Sequence, residues 1–297
     1  MRVMIAGGTG FIGRALAKHL KGAGYQLTLL SRQSAPESEH FDETLDWGDL
    51  INSQAEAFDV IINLCGYNIA ERRWSKKTKQ KIIDSRLISS QYLVNFIDEG
   101  KTRLLNASAI GFYPFSARPQ SEHCHQAIDP EQRNFSQTIV HQWEDALLDS
   151  PLEIPTSMRF GVVLGPGGGL LEKLALPAKL GLGSVLGDGS QMFSWVHIDD
   201  LCRAIQFIIE KPVIEPVVNI TSPQAVTQRD FSDSLSKQYH KPRFLRMPSL
   251  AVKTLFGQMG EELMLGSHNI IPQLLLDEGF EFDYSTLEHS LENILEQ

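Results

Sequence analysis

Three glycines stand three residues apart in Gly7-Gly8-Thr9-Gly10-Phe11-Ile12-Gly13. Glycines so spaced permit a tight turn, let backbone approach a pyrophosphate and let a helix pack closely on a strand. A helix beginning there would point unpaired N–H groups and the positive end of its dipole at the phosphates. The pattern alone is a weak signal, but here it lies between a short apolar run, Arg2 to Ala6, and a helical pattern from Phe11 to Gly24. The next strand, Gln26 to Leu30, ends in Leu29-Leu30-Ser31-Arg32. An acidic residue at that point would hydrogen-bond the ribose of NAD, whereas a guanidinium beside a hydroxyl suits the extra phosphate of NADP. NADP is therefore favoured over NAD; the competing reading leaves Arg32 solvated at a strand end.

Other groups invite chemistry less specifically. His197 precedes Asp199 and Asp200 at a helix start, where its imidazole would titrate near neutrality or where the segment would serve as a cap. Glu122, His123, Cys124 and His125 form a polar cluster with too few ligands in workable geometry for zinc, so no metal is expected. The basic stretch Arg72-Arg73-Trp74 with Lys76, Lys77, Lys79 and Lys81 either steers an anion or forms a solvated helix start. Trp74 and Trp195 either stack on a planar ligand or pack in the core.

The elements that must position these groups alternate. Val60 to Leu64 and Arg103 to Ala107 are continuous apolar runs of the kind that form strands buried on both faces. Lys79 to Glu99 and Glu131 to Leu148 carry helical periodicity between and after them. Alternating strand and helix calls for an α/β doubly wound parallel sheet, a Rossmann core. Past residue 163 glycines crowd the chain from Gly165 to Gly189; a helix returns from Ile198 to Glu210, and the strand Val217 to Ile220 is expected to rejoin the sheet. The expected division is a dinucleotide-binding domain at 1–163, completed by about 195–221, with a smaller interleaved C-terminal substrate lobe at 164–194 and 222–297.

Composition narrows the class. In 297 residues the formal charge is -9, which offers no general attraction to nucleic acid or to an anionic membrane. No run approaches the roughly 20 apolar residues of a spanning helix. Three cysteines, widely separated, suggest neither a disulfide framework nor a zinc site, and a reducing cytoplasm is the expected compartment.

Together these residues resemble the extended short-chain dehydrogenase/reductase group, the NAD-dependent epimerase/dehydratase proteins, and within it an epimerase-like subfamily with a small C-terminal domain. The glycine turn carries the resemblance with Asn63-Leu64-Cys65-Gly66, Asn68-Ile69-Ala70, Arg72-Arg73-Trp74, Ser85-Arg86 and the stretch from Arg159 to Gly169. Leu180-Gly181-Leu182-Gly183, Gly187-Asp188-Gly189, Trp195 to Asp200 and Gly279-Phe280-Glu281-Phe282 extend it along the chain. The resemblance implies that Leu64, Cys65 and Gly66, at the end of the strand Val60 to Leu64, run past the adenosine and ribose of the cofactor. It implies that Arg86 reaches the dinucleotide from the following helix. It also aligns Ser108, in Asn106-Ala107-Ser108-Ala109, with the serine that orients a substrate oxygen.

The group's Tyr-x-x-x-Lys pair falls on Phe135-Ser136-Gln137-Thr138-Ile139, which has neither phenol nor ammonium. Tyr113 is then the nearest replacement acid or base, unless it is a packed loop residue. The resemblance implies an NADP-binding epimerase-like oxidoreductase acting on a small polar carbonyl or nucleotide-linked substrate. The missing pair leaves open a non-catalytic NADP sensor.

Overall fold

A computed structural model of the chain describes residues 1–32, 39–52, 54, 57–97, 102–124, 128–148, 155–211, 215–242 and 245–296. The first half contains β1 (Arg2–Ala6), α1 (Phe11–Gly22), β2 (Gln26–Ser31), β3 (Glu43–Asp46), β4 (Val60–Asn63), α2 (Lys76–Phe96), β5 (Arg103–Ala109), β6 (Ser116–Gln120) and α3 (Phe135–Asp145). There follow β7 (Thr156–Phe160), β8 (Val162–Leu164), α4 (Gly169–Lys179), β9 (Ser184–Leu186), β10 (Met192–Phe193), β11 (Trp195–His197), α5 (Ile198–Glu210) and β12 (Val217–Ile220). The remainder holds β13 (Val226–Thr227), α6 (Gln228–Gln238), β14 (Leu245–Met247), α7 (Ser249–Phe256), α8 (Gln258–Leu263), β15 (His268–Ile270), α9 (Gln273–Asp277) and α10 (Leu287–Glu296).

Seven strands form one parallel sheet in the order β12-β7-β5-β4-β1-β2-β3. Strand side chains alternate between faces, and here both faces are apolar. Val3, Ile5, Val60, Ile62 and Leu105 pack under Leu16 and Leu20 of α1 and Leu201, Ile205 and Ile208 of α5. Met4, Ala6, Ile61 and Leu104 point the other way, towards Leu93 and Val94 of α2. From β1 the chain steps outward through β2 to β3, then returns to the opposite side of β1 as β4. That reversal opens a crevice beyond the carboxyl ends of β1 and β4, the place where open α/β sheets hold ligands.

The strands Arg2–Ala6 and Val217–Ile220 and the helix Ile198–Glu210 lie where their patterns place them, and Val217–Ile220 pairs with β7. The helix expected from Lys79 starts at Lys76, because the Ser75 hydroxyl accepts from the N–H of Thr78 at 3.1 Å and so caps it. Its expected end at Glu99 lies outside the described residues. The helix expected from Glu131 begins at Phe135, where Asn134 and Gln137 form a reciprocal capping box after a 3-10 turn at Pro130–Gln132. A smaller core gathers Leu164, Leu171, Trp195, Phe231, Leu235 and Leu291 from α4, α6, α10 and the β8–β11 pair. Among the described residues no helix is long and apolar enough to cross a membrane.

Candidate functional site at the sheet switch point

The glycine turn is shaped by close approach. Gly7 has φ +80°, and a Cβ there would stand 2.9 Å from the carbonyl carbon and oxygen of Leu64. A Cβ on Gly13 would fall 2.5 Å from the Gly7 oxygen and 2.6 Å from the Gly8 Cα, so any side chain would part helix from strand. The N–H of Gly10 donates to the Gly7 oxygen at 3.0 Å, and Gly10 begins α1 with no side-chain cap. The first turn of α1 therefore keeps N–H groups for a ligand. Ile12 packs inward, and the Phe11 ring lies under Gly168, whose added Cβ would be 2.3 Å from it. The glycine-rich segment after β8 thus closes over the start of α1.

Ser31 ends β2 in register with Asp46 of β3. Asp46 turns one carboxylate oxygen, Oδ1, onto the N–H groups of Gly48 and Asp49, at 2.7 and 2.9 Å. Arg32 follows, exposed, near enough that its charge acts on Cys65. Leu64 continues the β4 ladder by donating to the Ala6 oxygen at 2.9 Å. Burial pushes the Cys65 thiol up to about 11, outweighing Arg32 and a Ser89 hydrogen bond, which leaves a protonated thiol packed in the α2-side core. Gly66 comes next, and a Cβ there would meet the Arg86 guanidinium at 3.3 Å.

Arg86 is half-buried, not paired on the surface. Its Nη1 donates to the carbonyls of Tyr67 and Ile82 at 3.1 and 3.0 Å, and the guanidinium lies 4.9 Å from the centre of the Trp143 ring. Burial lowers it to about 10, and among the described residues no carboxylate stands within ion-pair distance. A cation held by carbonyls and a ring face retains charge for an anionic ligand.

Ser108 sits at the head of a buried polar chain. Its hydroxyl donates to Glu144 Oε1 at 2.5 Å, and Glu144 is clasped by Arg159 through Nε at 2.8 Å and Nη2 at 2.6 Å. Arg159 Nη1 donates to the Tyr113 hydroxyl at 2.9 Å, which itself donates to Asn219 Oδ1 at 2.9 Å. The N–H of Asn219 donates to Glu122, whose carboxyl is pushed up by burial. Tyr113 is 1% exposed, and burial raises its pKa above the ordinary phenol value, so both sides of its hydroxyl are occupied within the framework. This chain had one sequence signal: Arg159 stands in an otherwise uncharged, fully buried strand.

Phe135 opens α3 with its ring edge on Trp74, centroids 4.8 Å apart, and Ile139 is buried one turn later. Lys79 lies 4.5 Å above the Phe135 ring and donates to Gln258, and Arg73 lies against Gly257, so part of the basic stretch engages the C-terminal elements. Trp74 donates its N–H to the Ile69 carbonyl, and Trp195 is wholly buried. His197 is buried at the N-cap of α5, where Nδ1 accepts from the N–H of Asp199 at 3.1 Å and the ring stacks on Tyr284 at 3.7 Å. Burial lowers its pKa. It caps the helix itself, while Asp200 accepts from the N–H groups of Asp283 and Tyr284. Of the Glu122 cluster, His125 lies outside the described residues. Among the described residues no group of three or more His, Cys, Asp or Glu is placed to hold a metal.

Residues 3–221 match the model of the NAD dependent epimerase/dehydratase family, and residues 247–294 match a domain of unknown function, DUF1731. The chain is 34% identical over 293 residues to the epimerase family protein Mb2239 of Mycobacterium bovis, covering 97% of this chain and 96% of that protein. It is 32% identical to the human epimerase family protein SDR39U1, covering 99% of this chain and all of that one. The crystal structure of human SDR39U1 (isoform 2) with NADPH superposes on the whole of both chains with a TM-score of 0.90 at 30% identity. A glycine turn at the sheet's switch point, a family model covering the seven-stranded sheet and full-length relatives lead to one assignment: the chain belongs to the NAD dependent epimerase/dehydratase family.

Proposed function

We propose that this protein binds NADP(H) in the crevice beyond β1 and β4 and acts as an epimerase-like oxidoreductase on a small polar substrate, in a reducing cytoplasm. Residues 1–163 with 195–221 would hold the cofactor; 164–194 and 222–297 would form the substrate lobe. The observation that carries the cofactor choice is the end of β2, where Ser31 and an exposed Arg32 stand in place of an acidic residue, while the neighbouring Asp46 turns Oδ1 onto its own turn. Ser31 and Arg32 would take the 2′-phosphate. The amides at Phe11, Ile12 and Gly13 would face the pyrophosphate, with Gly7 and Gly10 shaping the turn that brings the backbone close to it. Leu64, Cys65 and Gly66 would line the adenosine side, and Arg86 would supply a further cation. The NADPH-bound human relative supports this reading. Calorimetric titration tests it: NADPH binds more tightly than NADH, and Arg32→Ala weakens NADPH about tenfold or more while leaving NADH unchanged. Equal affinities in both proteins would sink the selector role.

Ser108 is the residue assigned to the substrate. Because its proton is given to Glu144, its oxygen can accept from a substrate hydroxyl but does not donate to a carbonyl. Tyr113 and His197 are assigned to the framework, since the Tyr113 hydroxyl braces Arg159 and Asn219 and His197 Nδ1 caps the start of α5. A hydride step would be the cofactor's chemistry, with the protein supplying placement. Phe135 and Ile139, without a titratable group, favour a second reading in which NADP(H) occupancy is sensed without turnover. NADPH oxidation against a panel of carbonyl compounds separates the two: turnover that Ser108→Ala abolishes supports the enzyme, and tight binding with no turnover supports the sensor.

A further inference from the structure

The chain leaving β5 passes Tyr113 and reaches Phe115, which walls a cavity of about 760 Å³ together with the Gly187-to-Gln191 turn and residues from β14 onwards. That volume suits a small organic ligand. Most polar groups on its wall are already committed. The Ser116 hydroxyl accepts from the N–H of Arg118 and donates to its carbonyl, and the Ser267 hydroxyl donates to the Ser116 carbonyl. Both N–H bonds of the Gln191 amide go to the carbonyls of Leu186 and Met264. Asp188 accepts from the N–H and the hydroxyl of Ser190, which holds its carboxyl below the ordinary range.

Two donors remain. Arg246 gives its Nε to the Gly187 carbonyl at 2.7 Å, which fixes the plane of the guanidinium and leaves the outer fork unspent. Among the described residues no carboxylate lies within ion-pair distance of it. Beside it stands Ser249, whose oxygen is 2.9 Å from where a Cβ on Gly187 would lie. A fixed guanidinium fork matches a carboxylate or phosphate bidentately. Among the described residues Arg246 is the one cation on the cavity wall, with the Asp188 carboxylate in its field and Arg229 turned to the Asp188 carbonyl at 2.6 Å outside it, and this matches one anionic group.

We propose that this cavity seats the single anionic group of the substrate, a carboxylate or monophosphate on a small hydroxylated molecule, on Arg246 and Ser249, with the exposed Phe115 ring against its carbon skeleton. The proposal rests on the preceding reading for its cofactor and adds a substrate class to it. It also gives the domain of unknown function a task, because Ser249, Leu265 and Ser267 come from residues 247–294.

The test titrates NADPH-saturated protein with inorganic phosphate, gluconate, glucose 6-phosphate, glucose and UDP-glucose, in wild type, Arg246→Gln and Arg246→Lys. Phosphate, gluconate and glucose 6-phosphate bind saturably and weaken about tenfold in Arg246→Gln, with partial return in Arg246→Lys. Carboxylate and phosphate sources separate by whether gluconate or glucose 6-phosphate binds more tightly. NADPH affinity stays constant across the three proteins; its loss in wild type would instead condemn the cofactor reading. The proposal is overturned if phosphate shows no saturable binding, if glucose binds as well as gluconate, or if UDP-glucose binds most tightly and ignores Arg246→Gln.

Discussion

His268, at the start of β15, has its ring edge on Phe115 with centroids 5.1 Å apart, and its Nδ1 is buried with no hydrogen-bond partner among the described residues. Burial lowers its pKa from 6.5 to about 4, so the folded chain holds it neutral where an unfolded chain would protonate it. Between those values the unfolded state binds more protons, and stability must rise with pH. The contribution is fully present above pH 6.5 and is lost as pH falls towards 4. His141 and His197 are shifted the same way by burial, and Glu122, raised by burial, opposes them. The difference between wild type and His268→Phe isolates the one residue. Urea unfolding over this window should show wild type losing up to about 3 kcal/mol more than His268→Phe. Parallel curves would show that His268 does not titrate with folding.

Helix α3 shows how far elements were legible. A helix near residues 131–148 follows from apolar spacing, and so do the central strands, because each is an apolar run buried on both faces. The start at Phe135 follows from Asn134 and Gln137, whose reciprocal cap is a local signal that periodicity passes over. Nothing local reports that Glu262 of α8 reaches back to accept from the N–H groups of Phe135 and Ser136 and from the Ser136 hydroxyl. That carboxylate at a helix N-terminus ties the C-terminal elements to α3. Strand β3 carries no local signal for a related reason: Glu43-Thr44-Leu45-Asp46 is a half-buried edge whose place depends on pairing with β2. In the candidate site the glycine turn and Arg32 could be read because their geometry is set by neighbours in sequence. The Glu144–Arg159 clasp could not, since a contact between a helix and a strand leaves no periodic trace.

The sheet and the C-terminal elements are fastened together at several points. Leu274, Leu275 and Phe280 belong to the core that covers the α1 and α5 side of the sheet. Ser194 accepts from the N–H of Ile270 and donates to the carbonyl of His268, and Thr221 donates to the carbonyl of Ile270. One such fastening is Asp200, 1% exposed on α5, which accepts from the N–H groups of Asp283 and Tyr284 at 3.0 and 2.9 Å and pairs with Arg203 at 2.8 Å. Replacing Asp200 with Ala would leave the two backbone donors without their acceptor, while Arg203 keeps Asp283 at 2.7 Å, at a cost of about 2–4 kcal/mol. If the molecule is one unit, Asp200→Ala lowers a single unfolding transition, and amide exchange in β12 and β15 quickens together. Exchange that quickens only beyond residue 267, with the sheet unchanged, would show instead that the C-terminal elements open independently and that the substrate cavity can come apart while the cofactor crevice stays intact.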